Sequence, residues 1–209
     1  MVGVYVTVPV ACFRKGLARE YLETEPLPPP ATCYGFLLSL VGETDRGRHV
    51  GCRVAPVLLN EPPTSVVLRT VWRVKKTPLG SSGNTRPDYQ QLLTDVRLVI
   101  WLDSSGESGA LLEDRVRVAL NSPVTVTRFG GLSLGESTHM IDEVCLLDRV
   151  IERIGKSGRA FLIAPKGRVT LPVWVDHVGS ARTRYATGNL EESTLVPPPI
   201  GRMPKISPE

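Results

Sequence analysis

The chain has 209 residues, with 25 Lys plus Arg against 21 Asp plus Glu, hence a formal charge of +4 and a pI near 9.0. Apolar residues make up 42%, enough to close a core, which excludes wholesale disorder. Nineteen glycines and eighteen prolines, about 18% of the chain against roughly 12% in ordinary domains, argue against a helical bundle and point to a loop-rich, strand-containing protein.

The charge has an address. Between Arg69 and Arg97 lie six bases (Arg69, Arg73, Lys75, Lys76, Arg86, Arg97) and two acids (Asp88, Asp95), while the other 180 residues balance 19 bases against 19 acids. One segment thus carries the whole imbalance. That pattern fits a localised site for a polyanion, and a solvated basic face has the same arithmetic.

In chain order, every even position from Val2 to Cys12 is apolar, a period of two that predicts a strand, with Pro9 favouring an edge or a bulge. This start lacks a charged leader and a small-residue cleavage site, and no uncharged apolar run reaches the ~18 residues of a membrane span. A soluble cytoplasmic protein with no membrane partner is expected. Arg14 to Glu25 reads as a polar connection. Pro28-Pro29-Pro30 then opens a helix from Ala31 to Val41 that Gly42 ends. It is apolar nearly all round and should be buried. Gly35 inside it costs up to ~1 kcal/mol relative to Ala; a tight helix–sheet contact is the expected reason, and close approach of a ligand the alternative.

Strands are predicted at Val50 to Leu59 and at Ser65 to Lys76. In the second, Val66, Leu68, Trp72 and Val74 alternate with Arg69, Arg73 and Lys75, and Trp72 is expected in the core. Leu79 to Asn84 reads as a flexible tip, Gln90 to Leu93 as a short helical stretch, and Val96 to Leu102 as a strand. Ser108 is a candidate cap for a helix from Gly109 to Leu120, with Leu112, Val116 and Ala119 or Leu120 facing inward. A glycine-rich segment, Arg128-Phe129-Gly130-Gly131-Leu132-Ser133-Leu134-Gly135-Glu136-Ser137, precedes a strand at Ile141 to Leu147. The remainder predicts a hairpin around Pro165-Lys166-Gly167 and a disordered end after Pro197-Pro198-Pro199.

With the basic stretch taken as an inserted hairpin, the order is βαββαβ. The expected class is α+β: a ferredoxin-like, RNA-recognition-type domain over residues 1–147, a thumb-like insertion at about 73–94, and a small β-rich region over 148–209.

The glycine-rich segment matches neither G-x-x-x-x-G-K-[ST] nor G-x-G-x-x-G, so mononucleotide and dinucleotide sites are not predicted. Its glycines let backbone N–H groups approach a ligand, and Arg128, Ser133 and Ser137 add phosphate contacts; a purely structural turn is the alternative. Cys12, Cys33, Cys52 and Cys145 show no metal or disulfide spacing, and His49, His139 and His177 stand apart, His49 in a polar turn, so no cofactor is expected. Catalytic candidates reduce to Tyr34 with Lys75 or Lys76.

The segments PPPATCYGFLLSLVGE, NTRPDYQQLLTDVRLVIWL and RFGGLSLGESTHMIDEV, in this order, resemble the fifth family of CRISPR-associated Cascade subunits, within the repeat-associated mysterious protein (RAMP) superfamily. The resemblance spans about Val2 to Val144. It implies a thumb hairpin at about Arg73 to Tyr89 and a glycine-rich loop, Gly130 to Gly135, on an RNA-binding face. It also implies a subunit that grips the 5′ handle of the CRISPR RNA and caps the effector next to its repeated backbone subunit and its large subunit. Target DNA near the adjacent motif is a further candidate partner. Expected RNA contacts are Arg69, Arg73, Lys75, Lys76, Arg86 and Arg128 on phosphates, Gly130 and Gly131 through backbone N–H groups, and Ser133, Gly135, Ser137 and Tyr34. One subtype of the family matures the RNA with a Tyr and a Lys-His pair. No adjacent Lys-His occurs here, so the expectation is a non-catalytic RNA binder. A metal-independent endoribonuclease is the alternative, and a protein-only scaffold a third reading.

Overall fold

The computed structural model of the chain describes residues 1–16, 21–72, 78 and 80–209. Its centre is the strand that the alternation announced. β1 (Val2–Ala11) sends Val4, Val6 and Val8 to one face and Tyr5 to the other. It lies antiparallel between β5 (Thr85–Asp103) and β6 (Glu143–Leu146). The β6 pairing ends at Thr7, so Pro9 sits where that side of the strand has no partner. The sheet continues from β5 to β3 (Arg53–Leu58), β7 (Ser157–Ile163), β9 (Arg184–Thr194) and β8 (Val169–Trp174). Two strands join β5 outside this row: β2 (Tyr21–Leu22) in parallel, and β4 (Thr64–Trp72) as the other arm of a hairpin. The architecture is mixed α and β, dominated by an antiparallel sheet.

Two helices, α1 (Pro30–Leu40) and α2 (Leu112–Asn121), join one core with the valine face of β1, through Cys33, Phe36, Leu37 and Leu40 and through Leu112, Val116 and Ala119. The opposite face, with Tyr5, Val57, Val99 and Trp101, is closed by Leu147, Val150, Leu162 and Met203.

Several local expectations change. Ser108 does not cap α2. Ser104 and Glu113 exchange backbone N–H to side-chain bonds of 3.1 Å, and Glu107 accepts from the Leu112 N–H at 3.1 Å. Gln90 to Leu93 is strand, not helix, because each of these residues has a cross-strand partner on β4. β5 passes from the sheet into this hairpin at Asp95, whose φ is 54°, and Asn60 ties that corner to Asp95 O and Arg97 N. The segment at Pro165-Lys166-Gly167 joins β7 to β8 without pairing them, since β9 lies between and pairs with both. His49 lies in the expected turn, but its side chain is fully buried.

That histidine belongs to a network joining the two helices. Arg115 of α2 donates to Glu43 Oε2 at 2.5 Å, to the Val41 carbonyl at 3.2 Å, and to His49 Nε2 at 2.9 Å. A guanidinium only donates, so His49 carries its proton on Nδ1 and donates a hydrogen bond from it to Glu107 Oε2, 2.6 Å away. The Arg115 bond, helped by the Asp45 N–H, holds the Glu43 carboxyl down at about 2.

The end of the chain is ordered, against expectation. Arg202 forks onto Glu191 at 2.5 and 2.9 Å, and Met203 and Ile206 are fully buried. Residues 204–206 bond to Gly51, Cys52 and Val54, filling the edge of β3 that β7 leaves open after pairing only Val57 and Leu58. A continuous sheet therefore crosses position 147. Truncating Ile206 to Ala is expected to cost about 2–4 kcal/mol, or roughly 5–15 °C in melting temperature at this chain length. Thermal unfolding of the purified variant checks it, and an unchanged midpoint would mean the end is not packed in solution.

Candidate functional site

Helix α1 starts at its proline-rich entry with Pro30 in the first turn, and buries Cys33, Tyr34, Phe36, Leu37, Leu38 and Leu40. One stripe stays open: Ala31, Gly35 and Ser39, four residues apart and hence on one face. A Cβ built on Gly35 meets no atom within 4 Å. The helix–sheet contact expected there does not exist. Instead the stripe floors a hollow of about 360 Å³ whose walls include Ser133 and Gly135 on one side and Trp174, Val175, His177 and Arg46 on the other. A second hollow, of about 520 Å³, shares Gly35, Leu38 and Ser39 and runs on to Gly42, Thr44, Arg128 and Phe129. The two form one groove along α1. Its far end is fixed at Gly42, where φ is +67° and a Cβ would lie 2.2 Å from the Thr127 carbonyl oxygen.

The Trp174 wall is rigid. The Arg46 guanidinium sits 3.9 Å over the indole and donates to the Val175 carbonyl at 2.5 Å. Tyr34 donates its hydroxyl to the Arg46 carbonyl at 2.7 Å, and burial, followed by the Cys52 thiol nearby, pushes that phenol well above its ordinary range. Tyr34 is thus buried wall, with its oxygen committed.

Opposite, the glycine-rich loop is pinned rather than loose. His139 Nδ1 accepts from the backbone N–H groups of Cys12 at 3.1 Å and Glu136 at 3.2 Å, so the neutral ring is the one required. Burial lowers its pKa, with the Glu136 carboxylate opposing and Arg69 assisting. A Cβ on Gly135 would come within 2.8 Å of the Cys12 carbonyl oxygen, so this glycine serves packing. Gly130, Gly131 and Ser137 are exposed, Ser133 is half-buried opposite Met140, and Arg128 is half-exposed at the groove.

The basic segment divides. Arg69 forks onto Asp88 at 3.0 and 3.1 Å and reaches Glu136 at 3.9 Å, while Gln90 donates to Glu136 at 2.9 Å. Arg69 therefore clips the hairpin to the glycine-rich loop. Arg97 is likewise paired with Asp95, at 2.9 Å. Arg86 is half-exposed on β5 across from Val71. Arg73, Lys75 and Lys76 lie outside the described residues, as does Leu79 of the expected tip, whose residues Ser82–Asn84 form a 3₁₀ turn. Trp72 is not core. It is 59% exposed and Leu68 64%, on a hairpin face shared with Val66 and Tyr89. Arg46, Trp174, His177 and Phe129 were missed as groove residues; only Phe129, inside the glycine-rich segment, stood beside a signal.

No family model matches the chain. By fold it resembles a protein in a CRISPR RNA-guided surveillance complex, with a TM-score of 0.62 at 14% identity over 92% of this chain and 89% of that one. A second solved structure, described as a Cas protein, gives 0.50 at 16% identity over 100% and 99%. A CRISPR-associated protein Cas5 of Myxococcus xanthus (strain DK1622) is 57% identical over 210 aligned positions, covering 99% of this chain and 97% of that protein. The chain belongs to the Cas5 family.

Because the folded His139 pKa lies below its unfolded value, the ring's contribution is complete above pH 6.5 and is lost as pH falls through the folded value. Replacing His139 by Ala leaves the buried Cys12 N–H and the half-buried Glu136 N–H short of a partner and is expected to cost about 1–3 kcal/mol at pH 7.5. The gap between wild type and variant should close toward pH 5. Melting temperatures of both proteins across that range check it, and a constant gap would contradict the assignment.

Proposed function

We propose that this Cas5-family protein is a non-catalytic RNA-binding subunit of a Cascade-type complex, gripping the 5′ handle of the CRISPR RNA in the cytoplasm. The carrying observation is the open face of α1. A glycine in a helix interior is unfavourable, nothing packs against it, and it floors a groove between a pinned glycine-rich loop and the Arg46–Trp174 wall. Backbone N–H groups of a glycine loop and basic side chains suit phosphates, and a slot between them suits a splayed nucleotide.

A ferredoxin-like reading of the domain is supported by the strand order β6-β1-β5-β3, with α1 and α2 against one face and the β4–β5 hairpin as the thumb. The repeated backbone subunit, the large subunit and target DNA near the adjacent motif are the partners proposed with it. Catalysis by Tyr34 is disfavoured, since its hydroxyl is committed to the Arg46 carbonyl and its pKa is raised by burial.

Two measurements test this. RNA affinity should fall steeply with salt, log K losing about 0.7 per decade of salt for each neutralised phosphate of a single strand; a flat response would sink the electrostatic reading. At the groove floor, Gly35→Ala should raise stability by up to ~1 kcal/mol, whereas Gly35→Gln should keep the fold and weaken RNA binding at least tenfold. Equal affinity for wild type and Gly35→Gln would remove the groove from the interface. Incubation with repeat RNA in EDTA should leave the RNA intact, and a defined cleavage product would restore the endoribonuclease reading.

A further inference from the structure

The second hollow ends on a side chain that the fold gives no reason to keep. Phe129 is fully exposed, in a loop whose next residue, Gly130, has φ of +74° and open space where a Cβ would stand. Phenylalanine has no polar atom to justify exposure, and such residues normally recover free energy by burial. Yet its position is not arbitrary. The Thr127 carbonyl packs against Gly42 at the end of α1, so Phe129 is carried by a segment anchored two residues away. Together with Arg128 it forms the outer wall of a hollow of about 520 Å³ floored by Gly35, Ser39 and Gly42. Among the described residues Arg128 makes no ion pair, so it can face an anion beside that ring.

We propose that Phe129 is a stacking platform for one nucleobase of the bound RNA, with Arg128 holding the phosphate next to it, and that the hollow between this loop and α1 receives the stacked nucleotide. The proposal rests on the RNA-binding reading above and adds a second contact, chemically different from phosphate neutralisation. The size falls in the range of small-molecule sites. An unsubstituted phenyl ring offers a π face to any base but no hydrogen bond to its edge, so the contact favours strongly stacking purines without reading a sequence. The thin floor follows from the same demand: a base lying flat needs room that a side chain at position 35 would take.

The test uses the full-length protein and three labelled 12-nucleotide probes: oligoadenylate, oligouridylate and an abasic ribose-phosphate oligomer. Wild type should bind oligoadenylate most tightly. Phe129→Ala should weaken oligoadenylate by about 10- to 100-fold, leave the abasic oligomer unchanged, and leave the salt slope unaltered; Phe129→Trp should restore the affinity. Arg128→Gln should instead weaken all three and flatten the slope. Because Phe129 is exposed, its loss should not shift the melting temperature. Unchanged oligoadenylate binding in Phe129→Ala overturns the stacking assignment while leaving RNA binding intact. Equal losses on the abasic oligomer overturn it too, since the ring would then only support the loop. If wild type binds none of the probes, the RNA-binding reading fails and this proposal fails with it.

Discussion

Burial of α1 is the constraint on which the rest of this structure depends. The helix is apolar on nearly every side, so the sheet, α2 and β8 must all reach it. Doing so brings the two helix ends and the following turns together, and with them the largely buried carboxylates of Glu43 and Glu107. Arg115 is the hub of the response, with Arg48 also 3.3 Å from Glu43. Arg115 satisfies Glu43, the Val41 carbonyl and His49 at once, and His49 donates a hydrogen bond from Nδ1–H to Glu107. Removing a single member of such a set strands the others, which makes the cluster a determinant of how α1 sits as much as of stability. Once α1 is fixed, its one unburied stripe becomes the floor of the groove by elimination.

The hairpin follows a different logic. Its inner face carries Asp88, paired with Arg69, and the Arg69 and Gln90 side chains that meet Glu136 on the glycine-rich loop, and its outer face carries Val66, Leu68, Trp72 and Tyr89. Amphipathicity is thus reversed relative to a strand packed on a core. The polar face is inward because what it packs on is a loop with a carboxylate, not a sheet. The same pairing sharpens the charge distribution. Both acids of the basic segment, Asp88 and Asp95, are taken by two of its six bases, Arg69 and Arg97.

What could be read beforehand, and what could not, divides along physical lines. The period of two in Val2 to Cys12 and the Pro28–Pro30 and Gly42 punctuation of α1 were legible because each is a local signal that the fold leaves intact. Alternation in β4 groups the right residues on one face, but periodicity does not say which face is buried, and the face with Trp72 is the exposed one. Gln90 to Leu93 have helical propensity as single residues and became strand through pairing with β4. The chain's end looked disordered by composition, because nothing local reveals that β7 leaves part of β3 unpaired. Counting charges likewise cannot see that Arg69 already has two carboxylates.

The glycines carry the sharpest version of this limit, and also its remedy. Gly42 and Gly135 are required by the fold, since a Cβ at either would collide with a backbone oxygen. Their presence says nothing about a ligand. Gly35 is the opposite case: it weakens its helix, and any small side chain would fit in the space around it. From the sequence Gly42 reads as a helix stop and Gly35 as a packing contact, while Gly135, inside the glycine-rich segment, looks the most functional of the three. With the surrounding space known the order inverts. A glycine that the fold does not need, in an element that would be more stable without it, is the one whose absence of a side chain has to be explained by something outside the chain.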